Sequence, residues 1–127
     1  MNERDFATQV EDLFTRFGWW WVHFRAARTD KGWRTPVAGM GKGFPDYICL
    51  RGSRLLVAEI KSQKGKLTPE QIVWYDKFIE TQQHYVNQPL SVSGGKASME
   101  LKGKVLVSPE VYIWRPSDFD EIVKILR

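Results

Sequence analysis

Residues 43–61 of this 127-residue chain read GFPDYICLRGSRLLVAEIK, and this stretch decides how the fold is interpreted. Apolar and branched residues on both sides of Gly52-Ser53 predict two strands joined by a tight turn. Three charged residues interrupt the pattern, namely Asp46, Glu59 and Lys61. Burying a charge that has no partner is costly, so three charges in a hairpin of this kind call for a physical reason.

The register of the predicted hairpin brings the two acids together. Counting outward from a two-residue loop at 52–53 places Asp46 opposite Glu59. Side chains that face each other across such a ladder have Cβ atoms about 5 Å apart. Two carboxylates at this distance repel, and one of them is driven to protonate unless a cation lies between them. Strand periodicity puts Lys61 on the same face as Glu59.

Oxygen ligands of this kind suit Mg²⁺ or Mn²⁺, with water and substrate phosphates in the remaining positions. The backbone carbonyl of Ile60 could supply a further oxygen, and the Lys61 ammonium could hold a water or neutralise charge in a transition state. An ordinary structural arrangement is the alternative. In it, Glu59 and Lys61 lie on the solvent face of a strand and Asp46 is a turn residue after Pro45.

Composition indicates one globular domain. The net charge of +4 permits a nucleic-acid partner without demanding one, and 43% hydrophobic residues are ordinary for a globular domain. No apolar run approaches the roughly 20 residues of a membrane span, and the start, MNERDFATQVEDLF, has a helical pattern rather than that of a signal peptide. A single cysteine, Cys49, fits a reducing, cytoplasmic setting. Its neighbours indicate a small buried residue.

The remaining patterns predict an α/β domain with a mixed central sheet flanked by helices. Helical spacing over 3–17 is followed by an aromatic strand at 19–24, a basic glycine-rich connection to residue 43, and the hairpin. The second helix begins with Thr68 as N-cap. Further along, the alternation around Gly94-Gly95 predicts an extra hairpin near 88–107, and the chain closes with a strand at 111–114 and a helix capped by Ser117.

One acid of the first helix is of interest because of where it lies on the helix. Glu3 falls within the apolar stripe formed by residues such as Phe6 and Val10, so it is expected to face the core side. A frayed first turn, in which Glu3 favours the helix dipole, is the alternative.

Together these motifs resemble the VRR-NUC (virus-type replication-repair nuclease) family of the PD-(D/E)XK superfamily, in particular its small stand-alone phage and bacterial members. Pro45-Asp46 and Glu59-Ile60-Lys61 match the superfamily motif. Four matching segments occur in the family's order and cover most of the chain: GWWWVHFR (18–25), GFPDYICLR (43–51), LLVAEIKSQKGKLTPEQ (55–71) and VYIWRPSDFDEIVKIL (111–126).

The resemblance implies a restriction-endonuclease-like PD-(D/E)XK core and metal-dependent phosphodiester hydrolysis. Asp46 and Glu59 would bind Mg²⁺ or Mn²⁺, and Lys61 would position or activate the attacking water. The family also carries an acid on the first helix at the metal site, for which Glu3 is the best match here. Glu11 and Asp12 are the substitutes.

Two further positions match the family. Gln71 lies where a residue reaches the active site, although Thr68 and Gln71 also form the pattern of a capping box. His23 matches a histidine at the end of a strand, and a lone histidine is more often structural than catalytic.

The resemblance and the charge pattern together predict a DNA-cleaving homodimer of the cytoplasm, in a bacterium or a phage-infected host, with no membrane contact and no organic cofactor. Branched DNA such as a Holliday junction is the expected substrate. Nicking or duplex-cleaving activity, or a DNA-binding module without catalysis, are the alternatives. Trp33 could stack on a base or pack on the core. The predicted phosphate contacts on either side of the metal site are Arg25, Arg28, Arg34, Lys42 and Lys64.

Overall fold

The computed structural model describes residues 1–24, 27–29, 32–34, 39–86 and 105–127. Its helices are α1 (Glu3–Arg16), α2 (Pro69–Thr81), a short 3-10 helix (Pro116–Asp118) and α3 (Phe119–Leu126). Its strands are β1 (Trp20–His23), β2 (Ala27–Thr29), β3 (Gly32–Arg34), β4 (Tyr47–Arg51), β5 (Arg54–Ile60), β6 (Gln83–Val86), β7 (Val105–Ser108) and β8 (Glu110–Trp114). None of the described helices is long and apolar enough to cross a membrane.

A four-stranded mixed sheet with the order β1-β4-β5-β8 forms the centre of the described fold. Strand β4 pairs antiparallel with both of its neighbours, whereas β5 and β8 run parallel. Parallel neighbours need a crossover connection, and α2 lies in the connection between these two strands. The prediction of a mixed sheet flanked by helices is therefore confirmed.

The hairpin of β4 and β5 has the predicted register. Arg51 pairs with Arg54 across the turn, and the ladder continues outward to the pair of Tyr47 and Ala58. Gly52 adopts a φ of +58°, which a glycine tolerates and which a tight hairpin turn requires. The next pair outward in this register consists of Asp46 and Glu59, as the sequence predicts.

Helices α1 and α3 cover one face of the sheet. Their buried apolar side chains meet inward-facing residues of β4, β5 and β8 in a single cluster, whose largest members include Phe6, Phe14, Tyr47, Leu56, Trp114, Ile122 and Leu126. The other face carries α2. Strand β5 is consequently covered on both sides and is buried from Leu56 to Ile60, which explains its almost uninterrupted apolar sequence.

The end of α1 and the start of α2 follow their sequence signals. Gly18, with a φ of +77°, follows the last turn of α1. At the start of α2, the Thr68 hydroxyl accepts from the Gln71 amide at 3.2 Å and the Gln71 side chain accepts from the Thr68 amide at 2.9 Å. The predicted capping box is thus present.

The predicted cap of the last helix is wrong. Ser117 lies inside the 3-10 helix, and its hydroxyl accepts a 3.0 Å hydrogen bond from the Gln63 side chain. The Asp118 carboxylate instead accepts from the Arg115 backbone amide at 2.8 Å. Asp118 is the residue before α3, and its side chain makes no capping hydrogen bond to that helix.

Two connections contain strands that differ from the predicted ones. The basic segment from 25 to 43 carries the antiparallel pair β2 and β3, where the sequence predicts only a connection. The extra hairpin expected near 88–107 corresponds to an antiparallel pair that begins earlier, β6 with β7. Its predicted turn at Gly94-Gly95 lies outside the described residues.

Cys49 is fully buried in the core cluster, and burial raises the pKa of its thiol to about 12. A thiol that stays protonated is a poor nucleophile. The prediction of a small buried cysteine is confirmed.

The aromatic centre of the core yields a stability prediction. The Phe14 ring is fully buried and lies 5.4 Å, centroid to centroid, from Tyr47 and 5.9 Å from Trp21. Phe14→Ala should lower the free energy of unfolding by about 3–5 kcal/mol, because it removes apolar contact and leaves a cavity. Trp20, 82% exposed, is the matched control. Trp20→Ala should change the free energy of unfolding by no more than about 0.5 kcal/mol in urea denaturation. Equal losses for the two variants would contradict the assignment of Phe14 to the core.

Candidate metal centre

Glu59 is the one charged residue among the buried side chains of the described chain, and it is 1% exposed. Both carboxylate oxygens are held by donors from α2. Gln71 Nε2 donates to Oε1 at 2.7 Å, and the Tyr75 hydroxyl donates to Oε2 at 3.3 Å. Two positions four apart on a helix lie on the same side of it. A single face of α2 therefore orients the Glu59 carboxylate.

Asp46 lies immediately before β4, the strand that pairs with the Glu59 strand β5. Its Oδ2 accepts a 3.0 Å hydrogen bond from the backbone amide of Ile60, and its carbonyl accepts from the Phe24 amide at 3.0 Å. Pro45, which precedes it, is buried and fixes the entry to the strand. The Asp46 carboxylate is thus directed toward β5 by main-chain contacts on both sides.

The surroundings of Glu59, Asp46 among them, change the ionisation of its carboxyl group. Burial, and after it the neighbouring Asp46 carboxylate, raises the pKa of Glu59 from about 4.5 to about 8. Burial raises the pKa of the Tyr75 hydroxyl above its usual range, and the neighbouring Glu59 and Asp46 raise it further. Tyr75 therefore stays protonated and acts as a donor to the carboxylate.

Lys61 lies on the same face as Glu59, as strand periodicity predicts. Its Nζ is 4.0 Å from Glu59 Oε1, and its side chain is largely buried. Lys61 continues the pairing of β5 with β8, since its amide donates to the Trp114 carbonyl at 3.0 Å. The backbone of Lys61 is in this way fixed next to β8, and its ammonium lies beside Glu59.

Gln71 fills both of the roles that the sequence leaves open. Its side-chain oxygen accepts from the Thr68 amide in the capping box, while its side-chain nitrogen donates to Glu59. The cap therefore fixes the amide in the orientation that presents the N–H group to the acid. The capping box is confirmed, and the Gln71 side chain also reaches the predicted site acid Glu59.

A cavity of about 440 Å³ opens between α1 and the sheet on the side of Asp46 and Ile60. Glu3 is exposed, and it lines this cavity on the side of α1 that faces the sheet. Glu11 lines it as well and is largely buried. Glu3, Ala7 and Glu11 recur every four residues and so form one line along the helix.

Glu11 is part of a small network at the wall of this cavity. Its Oε2 accepts from the Tyr47 hydroxyl and lies 3.0 Å from His23 Nδ1. The His23 ring stacks on Tyr47, with centroids 4.3 Å apart. The sequence predicts Glu11 only as a substitute for Glu3, whereas in the structure its side chain reaches from α1 to Tyr47 and His23. His23 is oriented by these contacts.

Four of the five basic residues predicted to bind phosphate lie in the part of the chain that the structure describes. Lys42 is exposed and forms a 3.3 Å ion pair with Glu70. Lys64 is exposed in a loop that is anchored where Gln63 contacts Ser117. Arg28 and Arg34 lie on β2 and β3, and their side chains, like that of Trp33, fall outside the described part. Arg25 lies wholly outside the described residues.

The donor set fits a small divalent cation that binds protein through one or two carboxylates and keeps several waters. Asp46 and Glu59 supply the carboxylates, and Ile60 lines the adjoining cavity. Within the described ranges there is no group of three or more histidine, cysteine or acidic side chains placed to hold a metal. A metal here would depend on the Asp46–Glu59 pair, with backbone and water oxygens.

Sequence reasoning missed Tyr75 and gave Glu11 too little weight. Tyr75 could have been found from helical spacing, because it follows Gln71 by four residues and so lies on the same side of α2. Comparison of the chain with known protein families, curated proteins and solved structures gives no match.

The raised pKa of Glu59 predicts how stability depends on pH without metal. Between about pH 4.5 and 8 the folded protein keeps a proton on Glu59 that the unfolded chain has released. The free energy of unfolding should therefore fall as pH rises through this window, by up to about 1.4 kcal/mol per unit. Glu59→Gln should remove this slope in urea denaturation measured from pH 5 to 8.5 with EDTA present. Parallel slopes for the two proteins would contradict the assignment.

Proposed function

We propose that this protein is a Mg²⁺- or Mn²⁺-dependent endonuclease that hydrolyses phosphodiester bonds of DNA, with Asp46 and Glu59 as the metal-binding acids. The observation that carries the proposal is the buried Glu59, held by Gln71 and Tyr75 beside a second carboxylate and 4.0 Å from Lys61 Nζ. A buried acid pair costs stability in the absence of a cation. Such cost is typical of sites that serve chemistry.

The residues of the chain have distinct roles in this proposal. A bound Mg²⁺ or Mn²⁺ would act as a Lewis acid toward the phosphate. Lys61 holds the attacking water with its ammonium and stabilises negative charge as the water oxygen bonds to phosphorus and one P–O bond breaks. The proton lost by the water reaches the leaving oxygen through solvent. Gln71 and Tyr75 keep the Glu59 carboxylate in place. Glu3, on the cavity rim, is a further proposed ligand, as is the Ile60 carbonyl.

The arrangement of elements supports a restriction-endonuclease-like PD-(D/E)XK core of the VRR-NUC type. The proposed acids belong to one hairpin, with Asp46 immediately before β4 and Glu59 on β5. Strand β8 pairs parallel with β5, and α1 borders the cavity next to Asp46. Lys42 and Lys64 are exposed on loops that adjoin the site and are proposed to contact phosphates. A branched substrate and a homodimer belong to the same proposal by resemblance.

Cleavage assays on labelled single-stranded, duplex, flap and four-way-junction DNA test this function. The protein should cut at least one substrate with Mg²⁺ or Mn²⁺ and none with EDTA. Asp46→Asn and Lys61→Ala should each lower the rate about 100-fold or more, because each removes a group that acts on charge in the transition state.

Lys124→Ala is the matched control for Lys61→Ala, because Lys124 is an exposed lysine on α3. It should cut like the wild type. Binding of DNA without metal-dependent cutting by any preparation would indicate a DNA-binding module and overturn the proposal. Undiminished cutting by Lys61→Ala would refute the role of that residue. Symmetric cutting of the junction alone would identify a resolvase, and cutting of duplex DNA a nuclease of other specificity.

Metal binding should release a proton from Glu59. At pH 7 the carboxyl is mostly protonated, because its pKa is about 8, and a metal ligand must be ionised. Calorimetric titration with Mg²⁺ in buffers of different ionisation enthalpy should therefore show nearly one proton released at pH 7 and almost none at pH 9. Below pH 8 the affinity should weaken about tenfold per pH unit. Binding without proton release at pH 7 would place the metal elsewhere.

A further inference from the structure

Trp74, on α2, fastens the segment of chain that leads into Asp46. Its indole Nε1 donates to the Met40 carbonyl at 2.9 Å and to the Lys42 carbonyl at 3.1 Å. The side chains at these two positions point into solvent, since Met40 is 88% exposed and the Lys42 side chain 83%. Besides the exposed Lys42–Glu70 ion pair, residues 40–42 are therefore held through their main chain, for which Trp74 provides the donor.

The same segment packs against the first turn of α2. Gly43 adopts a φ of +84°, and a Cβ atom at this position would lie 2.6 Å from the Glu70 carbonyl carbon and 2.7 Å from the Gln71 backbone nitrogen. No other residue could approach the helix so closely without displacing it. The backbone of Gly43 is thus in direct contact with the residue whose side chain holds Glu59.

Phe44 extends this contact toward the site. Its ring packs edge-on against Trp74 at 5.0 Å and against Phe78 at 6.1 Å, centroid to centroid. Only the buried Pro45 separates Phe44 from Asp46. One short segment therefore touches the helix turn that carries Gln71 and at its end delivers Asp46.

From these contacts we infer that Trp74 is a positioning residue for the acid pair, because it fixes the segment that ends at Asp46 to the helix turn that orients Glu59. The inference rests on the proposed function for its effect on metal and DNA. The coupling of Trp74 to Gln71 is a statement about geometry that can be measured without either. Misplacement of catalytic groups by about 1 Å can lower a rate about 100-fold, so a small shift suffices.

The test compares Trp74→Phe with Trp19→Phe. Both changes delete an indole N–H that bonds a backbone carbonyl, since Trp19 Nε1 donates to the Leu126 carbonyl at 2.9 Å in the buried core. Trp74→Phe keeps an aromatic ring beside Phe44 and Phe78. We expect it to weaken Mn²⁺ binding about tenfold and to lower kcat about tenfold or more at saturating metal, with KM within twofold of the wild type. Trp19→Phe should lower Tm and leave these three quantities within twofold.

A direct readout of geometry accompanies the metal titration. The side-chain amide signals of Gln71 in a ¹H–¹⁵N spectrum should move toward the positions of a solvent-exposed amide in Trp74→Phe and stay in place in Trp19→Phe. If Trp74→Phe does not fold, Gly43→Ala disturbs the same contact from the other side and should have the same effects.

The outcomes separate this inference from the proposed function. An unshifted Gln71 amide together with unchanged Mn²⁺ affinity in Trp74→Phe would overturn the positioning role. Equal effects of Trp19→Phe would also overturn it, because they would reflect a general loss of stability. A wild type that neither binds Mn²⁺ nor cuts DNA refutes the proposed function, and in that case a shifted Gln71 amide in Trp74→Phe would still support the positioning role.

Discussion

Burial of the Glu59 carboxylate is the constraint around which this structure is organised. A carboxylate that is 1% exposed beside another acid is unfavourable unless donors reach it or it takes up a proton. The fold provides donors from α2, through Gln71 and Tyr75, and a lysine on the same strand. The hydrogen bonds to Glu59, together with apolar packing, therefore hold α2 in its position on the sheet.

One face of the sheet forms most of the hydrophobic core, and the other face carries the candidate site. The face under α1 and α3 is an apolar and aromatic cluster with well-packed rings, while the face under α2 carries Glu59. The central strand, β5, contributes to both faces because alternate side chains point in opposite directions. Glu59 therefore lies on a strand that is held in place by a core built largely on its other side.

Much of this architecture follows from local signals in the sequence. The Gly52-Ser53 turn determines the register that brings Asp46 to Glu59, and Thr68 with Gln71 determines where α2 begins. These predictions succeed because turn and cap chemistry involves residues only a few positions apart. The cap of α3 was mispredicted for the opposite reason, since the contact of Ser117 with Gln63 joins residues far apart in the chain.

Other parts of the site could not be predicted for reasons of geometry. Glu11 lies on α1 but is oriented by Tyr47 of β4 and His23 of β1, so helix periodicity alone predicts too little burial for it. The contacts of Trp74 are made to backbone carbonyls. Every residue has a carbonyl, so no pattern of side chains signals that these two are the acceptors. Placement of the helix on the sheet must be known before such contacts can be recognised.

The close approach of Gly43 to α2 offers a means of telling apart chains that carry similar acids. Position 43 excludes a side chain on two independent grounds, its left-handed backbone and the 2.6 Å to the helix main chain. A sequence with the Pro-Asp and Glu-x-Lys motifs but a larger residue three positions before the aspartate must seat its second helix differently. The glycine is thus a marker for the way this site is assembled, whereas the acids mark only its chemistry.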